Sequence, residues 1–443
     1  MPLVSRQILT VISILTILST TAVTTTTPLS AQDQSSESIP SASQSDDAKL
    51  KRDVQRLVRQ LDSDTLLERE NAEKELIALG AEITQYLPAV NQRLSAEAAN
   101  RLQRVRTALD EAAIESRING QTVNLEGTLP LKDSLQKLEA LGNVHFNLDD
   151  IEDEELTLAL KESSFWQALD TLLDAAKLDT NLYGDHDSLD LFPNVRQVTR
   201  SERTGYSGAF RAEPTMVEIS KDLSSTTGGR LALSVQIAWE PNATPIFMNI
   251  PAKSIRAKLD DGSEIAAANP LSNPEFTPVD GSLAMEVSLQ FAAPPRGSRE
   301  IREVSMEVVA LLPGSVQTFR FEELDGKEEV KLKHGDLTIA LEPVSKSGEF
   351  SEFHMSMMLN DPNGVFDSYR GWVLNKEAFV TTPEGKRLEN QGFHTTRLAD
   401  NEVGISYLFE LPENRKGHAF VYEIPGSVVK KTIQLKMKNI PLP

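Results

Sequence analysis

The chain has 443 residues, with 45 Lys and Arg against 65 Asp and Glu for a net charge of −20, and it holds no Cys. Lack of cysteine excludes a disulfide scaffold, a Cys-based zinc or iron–sulfur site, a thiol enzyme and a lipid-anchored bacterial lipoprotein. The acidic balance argues against a general nucleic-acid binder, because affinity for phosphate backbones is carried by Lys and Arg, and the length suits about three or four domains.

Residues 1–31 read as a secretory signal peptide: Arg6 is the only charge, Ile8 to Leu18 is apolar, and a Thr-rich passage leads to Pro28-Leu29-Ser30-Ala31. The apolar core is shorter than the ~18–20 residues that anchor a helix in a bilayer, so cleavage rather than retention is expected. Export without cysteine suits a bacterial route, with the periplasm or outer cell envelope as destination. Residues 32–47 (QDQSSESIPSASQSDD) have almost nothing to bury and read as a disordered tether.

Residues 46–117 read as helical. Leu50, Val54, Leu57, Val58 and Leu61 share one face; Ala72, Leu76 and Leu79 lead to a stop at Gly80; Ile83, Leu87, Val90 and Leu94 predict a third helix. A fourth carries Ala98, Leu102, Val105 and Leu109, with Ser95 as its cap. The passage DSDTLLERENAEKELIALGAEITQYLPAVNQRL resembles HEAT-type helical repeats, in which an acidic turn opens a helix pair and a Gly closes it. The resemblance implies a small helical cap or docking module.

Across 121–200 short strands alternate with helices. VNLEG (123–127), HFNL (145–148), LTLAL (156–160), Thr180–Tyr183 and Leu189–Phe192 read as strands; helices cover Leu131–Leu138 and 163–176, the second capped by Ser164. This order, with Phe146, Leu156, Leu158, Leu160, Ala168, Leu169, Leu172, Leu173 and Leu178 as its apolar positions, resembles the short N-terminal domain of secretins and TonB-dependent receptors. Those positions are core in that family, so the resemblance implies a fold and no active site. No pore or barrel pattern follows within these 443 residues, so the expectation is a protein that is not itself a channel.

From Gly205 onward, alternation marks strands at 231–239, 254–259, 283–291, 336–344, 353–359 and 403–411, with turn pairs Asp261-Gly262, Asp280-Gly281, Asp325-Gly326, Asn363-Gly364 and Glu384-Gly385 between them. PGSV occurs at Pro313–Val316 and again at Pro425–Val428, which suggests an internal duplication: two immunoglobulin-like β-sandwiches over 205–322 and 323–443, each with Pro-Gly at the centre of a type II turn. The fold class expected is thus multidomain α+β, with a helical repeat, a βαββαβ-type small domain and two tandem antiparallel sandwiches.

Few residues suggest chemistry. His145, His186, His334, His354, His394 and His418 lack a second His at helical or strand spacing, so no metal pair is predicted. Asp185-His186-Asp187 reads as a solvated hairpin, Asp149–Glu155 as a hydrated acidic loop, and Asp361–Asp367 as a hairpin short of calcium ligands. Ser224–Gly229 offers hydroxyls with no adjacent base, and there is no Gly-x-Ser-x-Gly elbow, phosphate loop or dinucleotide fingerprint. Tyr369, Arg370 and Trp372, with Trp239, could form a sugar-stacking or partner face, although sandwich cores also use Trp; Trp166 reads as core. We therefore expect no catalytic residue, metal ligand or cofactor, and a docking protein that binds other envelope proteins, without nucleic acid and without an integral membrane segment once the signal is removed. A glycan or peptidoglycan binder, or an enzyme with a site assembled between domains, are the alternatives.

Overall fold

The computed structural model describes residues 42–88, 94–184, 188–221, 223–224, 229–279, 281–334, 337–359, 378–399 and 401–443. The signal peptide, most of the tether, Asp185-His186-Asp187, Ser225–Gly228 and the 361–372 candidates lie outside these residues. Chain contacts separate residues 1–49 from a unit running from Leu50 to Pro443, and the account below concerns the second.

Helix α1 (Ala42–Gln60), which belongs to this unit from Leu50 onward, α2 (Leu66–Ala78) and α3 (Ala96–Asn119) build one small core. The predicted stripes supply it: Val54, Leu57 and Leu61, then Ala72 and Leu76, then Ala98, Leu102, Val105 and Leu109 are all buried. Burying these stripes against one another, rather than helix propensity, holds such short helices together. Ser95 caps α3 as expected, its Oγ accepting from Ala98 N at 3.1 Å. The predicted third helix is instead a six-residue 3₁₀ segment, Ala81–Tyr86, that follows Gly80 and buries Ile83; Val90 lies outside the described residues. Its i, i+3 hydrogen bonding suits a short connector, and Leu87 joins the same core just after it.

The next stretch runs strand Thr122–Pro130, α4 (Leu131–Gly142), strands Phe146–Asn147 and Glu155–Ser164, α5 (Phe165–Ala175), then strands Leu178–Thr180 and Leu189–Pro193. Thr122–Pro130 pairs antiparallel with Glu155–Ser164, aligning Leu125 with Leu160 and Leu129 with Leu156. Phe146–Asn147 pairs parallel, and Leu178–Thr180 antiparallel, with Leu189–Pro193. All nine apolar positions named above are buried. Ser164 caps α5 through Gln167 N at 3.3 Å.

The rest is antiparallel sheet in two facing pairs. In the first, a sheet ordered Ala284–Ala292, Gly229–Trp239, Phe210–Lys221, Gly205–Ser207 packs against one built on Glu300–Pro313. In the second, a sheet holding Val316–Phe321, Ala419–Pro425 and Ala378–Thr381 faces one holding Leu337–Leu341, Phe350–Leu359 and Glu402–Phe409. Phe353 stacks on Phe420 across that second gap with ring centroids 5.2 Å apart. Each alternating stretch predicted beyond Gly205 contains a strand, at Gly229–Trp239, Arg256–Leu259, Ala284–Ala292, Leu337–Leu341, Phe350–Leu359 and Glu402–Phe409, whereas the strand expected over Thr180–Tyr183 ends at Thr180. The hairpins at Asp261-Gly262 and Glu384-Gly385 join paired strands.

The two PGSV segments are not matching turns of duplicated modules. Glu300–Pro313 pairs along its whole length with the last strand, Val428–Pro441, while Val316–Phe321 pairs with Ala419–Pro425. The two motifs therefore lie side by side where two neighbouring strands cross from the first sheet pair to the second. They bond to each other: Gly314 N donates to Ser427 O at 3.0 Å, and Gly426 N to Ser315 O at 2.9 Å. The expected division at 322/323 is crossed by this pairing, because 428–441 returns to the first sheet pair. Neither Gly314 nor Gly426 takes a positive φ, so the type II turns are absent. Glycine serves here by close approach, since a Cβ on Gly314 would collide with Ser427 Oγ and one on Gly426 with Gln317 Cγ.

Helix α3 braces the crossing. Asp110 accepts from Ser315 N at 3.0 Å and from Ser427 Oγ at 2.6 Å; further along the helix Arg117 donates to Pro313 O at 2.7 Å, and Lys431 reaches Glu115 at 2.5 Å. Among the described residues, no helix is long and apolar enough to cross a membrane.

Candidate functional site

A buried gathering of charged side chains lies between α5 and the first sheet pair. On α5, Trp166, Asp170 and Leu173 share the buried stripe at i, i+4 and i+7, which carries a carboxylate into the core; Asp174 follows one turn after Asp170. Segment 194–213 returns with four arginines, of which Arg196, Arg200 and Arg211 join the cluster. Arg211 Nε and the Tyr206 hydroxyl donate to Asp170 Oδ2 at 2.8 and 2.7 Å. Arg200 pairs with Asp174 and, at 2.6 Å, with Asp179, and its Nε lies 3.7 Å from Asp170. Arg196 bridges Asp179 at 3.1 Å and Glu213, and Arg211 also pairs with Glu213. The guanidinium of Arg211 sits 5.9 Å from the centre of the Trp166 ring, and Trp166 Nε1 donates to Ala209 O at 3.0 Å. A cavity of about 170 Å³ is lined by Trp166, Asp170, Asp179, Arg196, Arg211 and Glu213.

The electrostatics follow from burial and pairing. Burial raises the Asp170 carboxyl, and Arg211 and the Tyr206 hydrogen bond draw it back only in part. For Asp179 burial again disfavours charge, but Arg200 and Arg196 outweigh it and hold the group below its usual range; Arg211 and Arg196 do the same for Glu213. Burial opposes the charge of Arg211 too, yet Asp170 and Glu213 leave it more firmly protonated than usual. Burial and the neighbouring Asp170 push the Tyr206 hydroxyl up, so it stays a donor. Each guanidinium thus has carboxylate partners in fixed geometry, and each carboxylate has a cation. Chemically this is a lock: it fastens the 121–193 part of the chain to the first sheet pair.

Sequence reasoning missed every charged member of this cluster and placed only Trp166, as core. The available signal was an acid inside an apolar helical stripe (Asp170 between Trp166 and Leu173), followed by the arginine-rich stretch Arg196–Arg211. Pairing across such a distance in the chain cannot be read from spacing.

The residues weighed for chemistry fall elsewhere. The acids of Asp149–Glu155 are exposed around a buried Ile151, and Asp153 accepts from Lys132 N at 3.0 Å to cap α4. Among the described residues no three His, Asp or Glu gather as a metal set. His145 and His354 lie 3.9 and 3.7 Å from Glu139 and Glu352. Trp239 and Trp166 are buried, so neither offers a face to a sugar. Larger grooves are open to solvent and mixed in character: one of about 610 Å³ runs between Ala81–Pro88 with Arg106 and Val316–Thr318, and another of about 540 Å³ involves Lys346, Glu349, Glu413 and Arg415.

With the architecture and this site in place, the molecule is a mixed α+β protein dominated by antiparallel sheet. Comparison with protein-family models, characterised proteins and solved structures finds no match.

Proposed function

We propose that the protein is an exported docking protein of the bacterial cell envelope, with a HEAT-like helical module, a secretin/TonB-type small domain and two immunoglobulin-like β-sandwiches. The observation that carries this reading is the 121–193 segment. Its nine family-type apolar positions are buried in the expected order of strands and helices, which supports the resemblance, and its outer surface is left strongly acidic. The segment holds four Lys, no Arg and 16 Asp and Glu, and Glu126, Asp133, Asp149, Asp150, Glu152 and Glu162 are exposed. Its two-stranded ribbon keeps a free edge on each strand among the described residues. Acid excess and open strand edges suit a basic envelope protein that adds an extended segment, the acids steering its approach. The ion-pair lock holds this surface on the sheet body.

The test is cellular. The mature protein should begin near Gln32 by mass spectrometry and fractionate with the envelope. Photo-crosslinkers at Thr128 and Thr157 should capture envelope proteins, and charge reversal at Glu126 and Glu162 should abolish that capture. An unprocessed cytosolic chain, or crosslinks indifferent to charge reversal, would sink the proposal.

A further inference from the structure

Glu240 follows strand Gly229–Trp239, is 0 % exposed, and has no hydrogen-bonded partner at either carboxylate oxygen. Trp239 Nε1 and Asn242 Oδ1 beside it are also buried without partners. The three residues occupy a joint. Glu240 N donates to Ala209 O at 2.9 Å, and Ala209 N donates to Ile118 O on the last turn of α3 at 2.8 Å. Gly120, just past α3, has φ +70°, and a Cβ there would lie 2.8 Å from both Ala209 N and Glu240 Oε1. The backbone is therefore drawn around this carboxylate as tightly as glycine allows.

Nothing nearby compensates its charge. On α3, Arg117 spends its guanidinium on Asn242 O at 3.4 Å and Pro313 O at 2.7 Å, and Asp110 is held by Ser315 and Ser427. On segment 205–209, Tyr206 is bonded to Asp170 of α5, which Arg211 also holds. Burial raises the Glu240 carboxyl to about 7, while the Gln121 amide favours the charged form only weakly and closes no well-formed hydrogen bond. An ionised carboxylate without a partner is very costly in such a place, and opening the joint to water relieves that cost.

We infer that Glu240 is a proton-operated latch: neutral, it lets the end of α3 close on segments 205–209 and 239–242, and ionised, it loosens this joint so that the helical module moves on its remaining tethers at Asp110, Glu115 and Arg117. The sign follows from linkage. The folded carboxyl holds its proton to higher pH than the unfolded one, so the closed joint is firmest in acid and weakens as pH rises toward and through 7.

Because the chain has no Cys, spin labels can be placed on the full-length protein at Glu70→Cys on α2 and Glu286→Cys on strand Ala284–Ala292, both exposed positions. Distances measured at pH 5.5 should form one narrow distribution, with a second, longer population appearing by pH 8.5 and a midpoint near 7. Adding Glu240→Gln, which keeps the side chain neutral, should leave the narrow distribution at both pH values. An unchanged distribution in the parent, or the same pH response in Glu240→Gln, overturns the latch. Should Glu240→Gln not fold, carboxyl ¹³C titration of the unmodified protein decides: a Glu240 resonance titrating below pH 5, or titrating near 7 with no change in distance, overturns it equally.

Discussion

Arg200 shows how much of the stability of this protein rests on single buried groups. Its guanidinium is buried against Asp174 and Asp179, with Asp170 close by. Arg200→Met removes the cation and leaves those carboxylates uncompensated, so urea denaturation should show a loss of about 3–5 kcal/mol. A loss below 1 kcal/mol would mean the lock is open in solution. Within the lock, the pH response of Asp179 and Glu213 is opposite in sign to that of Glu240. Asp179 and Glu213 sit below their ordinary values, so their stabilisation is fully present above 3.8 and 4.5 and is lost as pH falls through the folded values. Denaturation midpoints should therefore drop below about pH 4, and the Arg200→Met variant should show a shallower drop. Asp110 makes a second case: Asp110→Ala strands the half-buried Ser315 amide and Ser427 hydroxyl, an expected cost of about 1 kcal/mol in the same assay.

Among the elements, α3 carries more than its local sequence announces. Its first half contributes Leu102, Val105 and Leu109 to the helical core, whereas Ile114 belongs to the core shared with the sheets. The apolar stripe made the helix legible, but spacing does not say that a helix serves two cores at once. The crossing strands behave similarly. Alternation marked the strands and Pro-Gly marked a break, yet the repeated PGSV pointed to duplication when the two copies are partners in one crossing. Gly314→Ala tests that role, because an added methyl meets Ser427 and Asp110. The substitution should cost about 1–3 kcal/mol by overpacking even though φ at this position is ordinary for any residue. A neutral result in thermal melts would show that the crossing has slack. The 3₁₀ segment at Ala81–Tyr86 is the clearest local miss: apolar spacing of four residues fitted an α-helix, and the connector buried one turn instead.

For the whole molecule, the last strand decides what can be cut. Val428–Pro441 places Ile433, Leu435, Met437 and Ile440 in the core of the first sheet pair, more than a hundred residues after Pro313. Deleting residues 428–443 should uncover strand Glu300–Pro313 and yield an insoluble or molten product, judged by near-UV circular dichroism and gel filtration. Residues 316–425 should keep a core when produced alone, through Phe353, Tyr407, Phe409, Phe420 and Tyr422, but with a lower melting temperature than in the whole chain, because Ile246, Phe247 and Leu311 of the first sheet pair pack into the same cluster. If the deletion left the first sheet pair intact, the strand exchange would be ornamental.

What the sequence determined by itself was local: the helical stripes of α1 to α5, the Ser95 and Ser164 caps, and the alternating strands, because periods of 3.6 and 2 are written in neighbouring residues. The tertiary structure alone decided which strands pair, where the chain crosses between sheet pairs, which arginine meets which acid, and that Glu240 is enclosed without a partner. Those facts depend on contacts between residues far apart in the chain, and residue type and spacing carry no record of them.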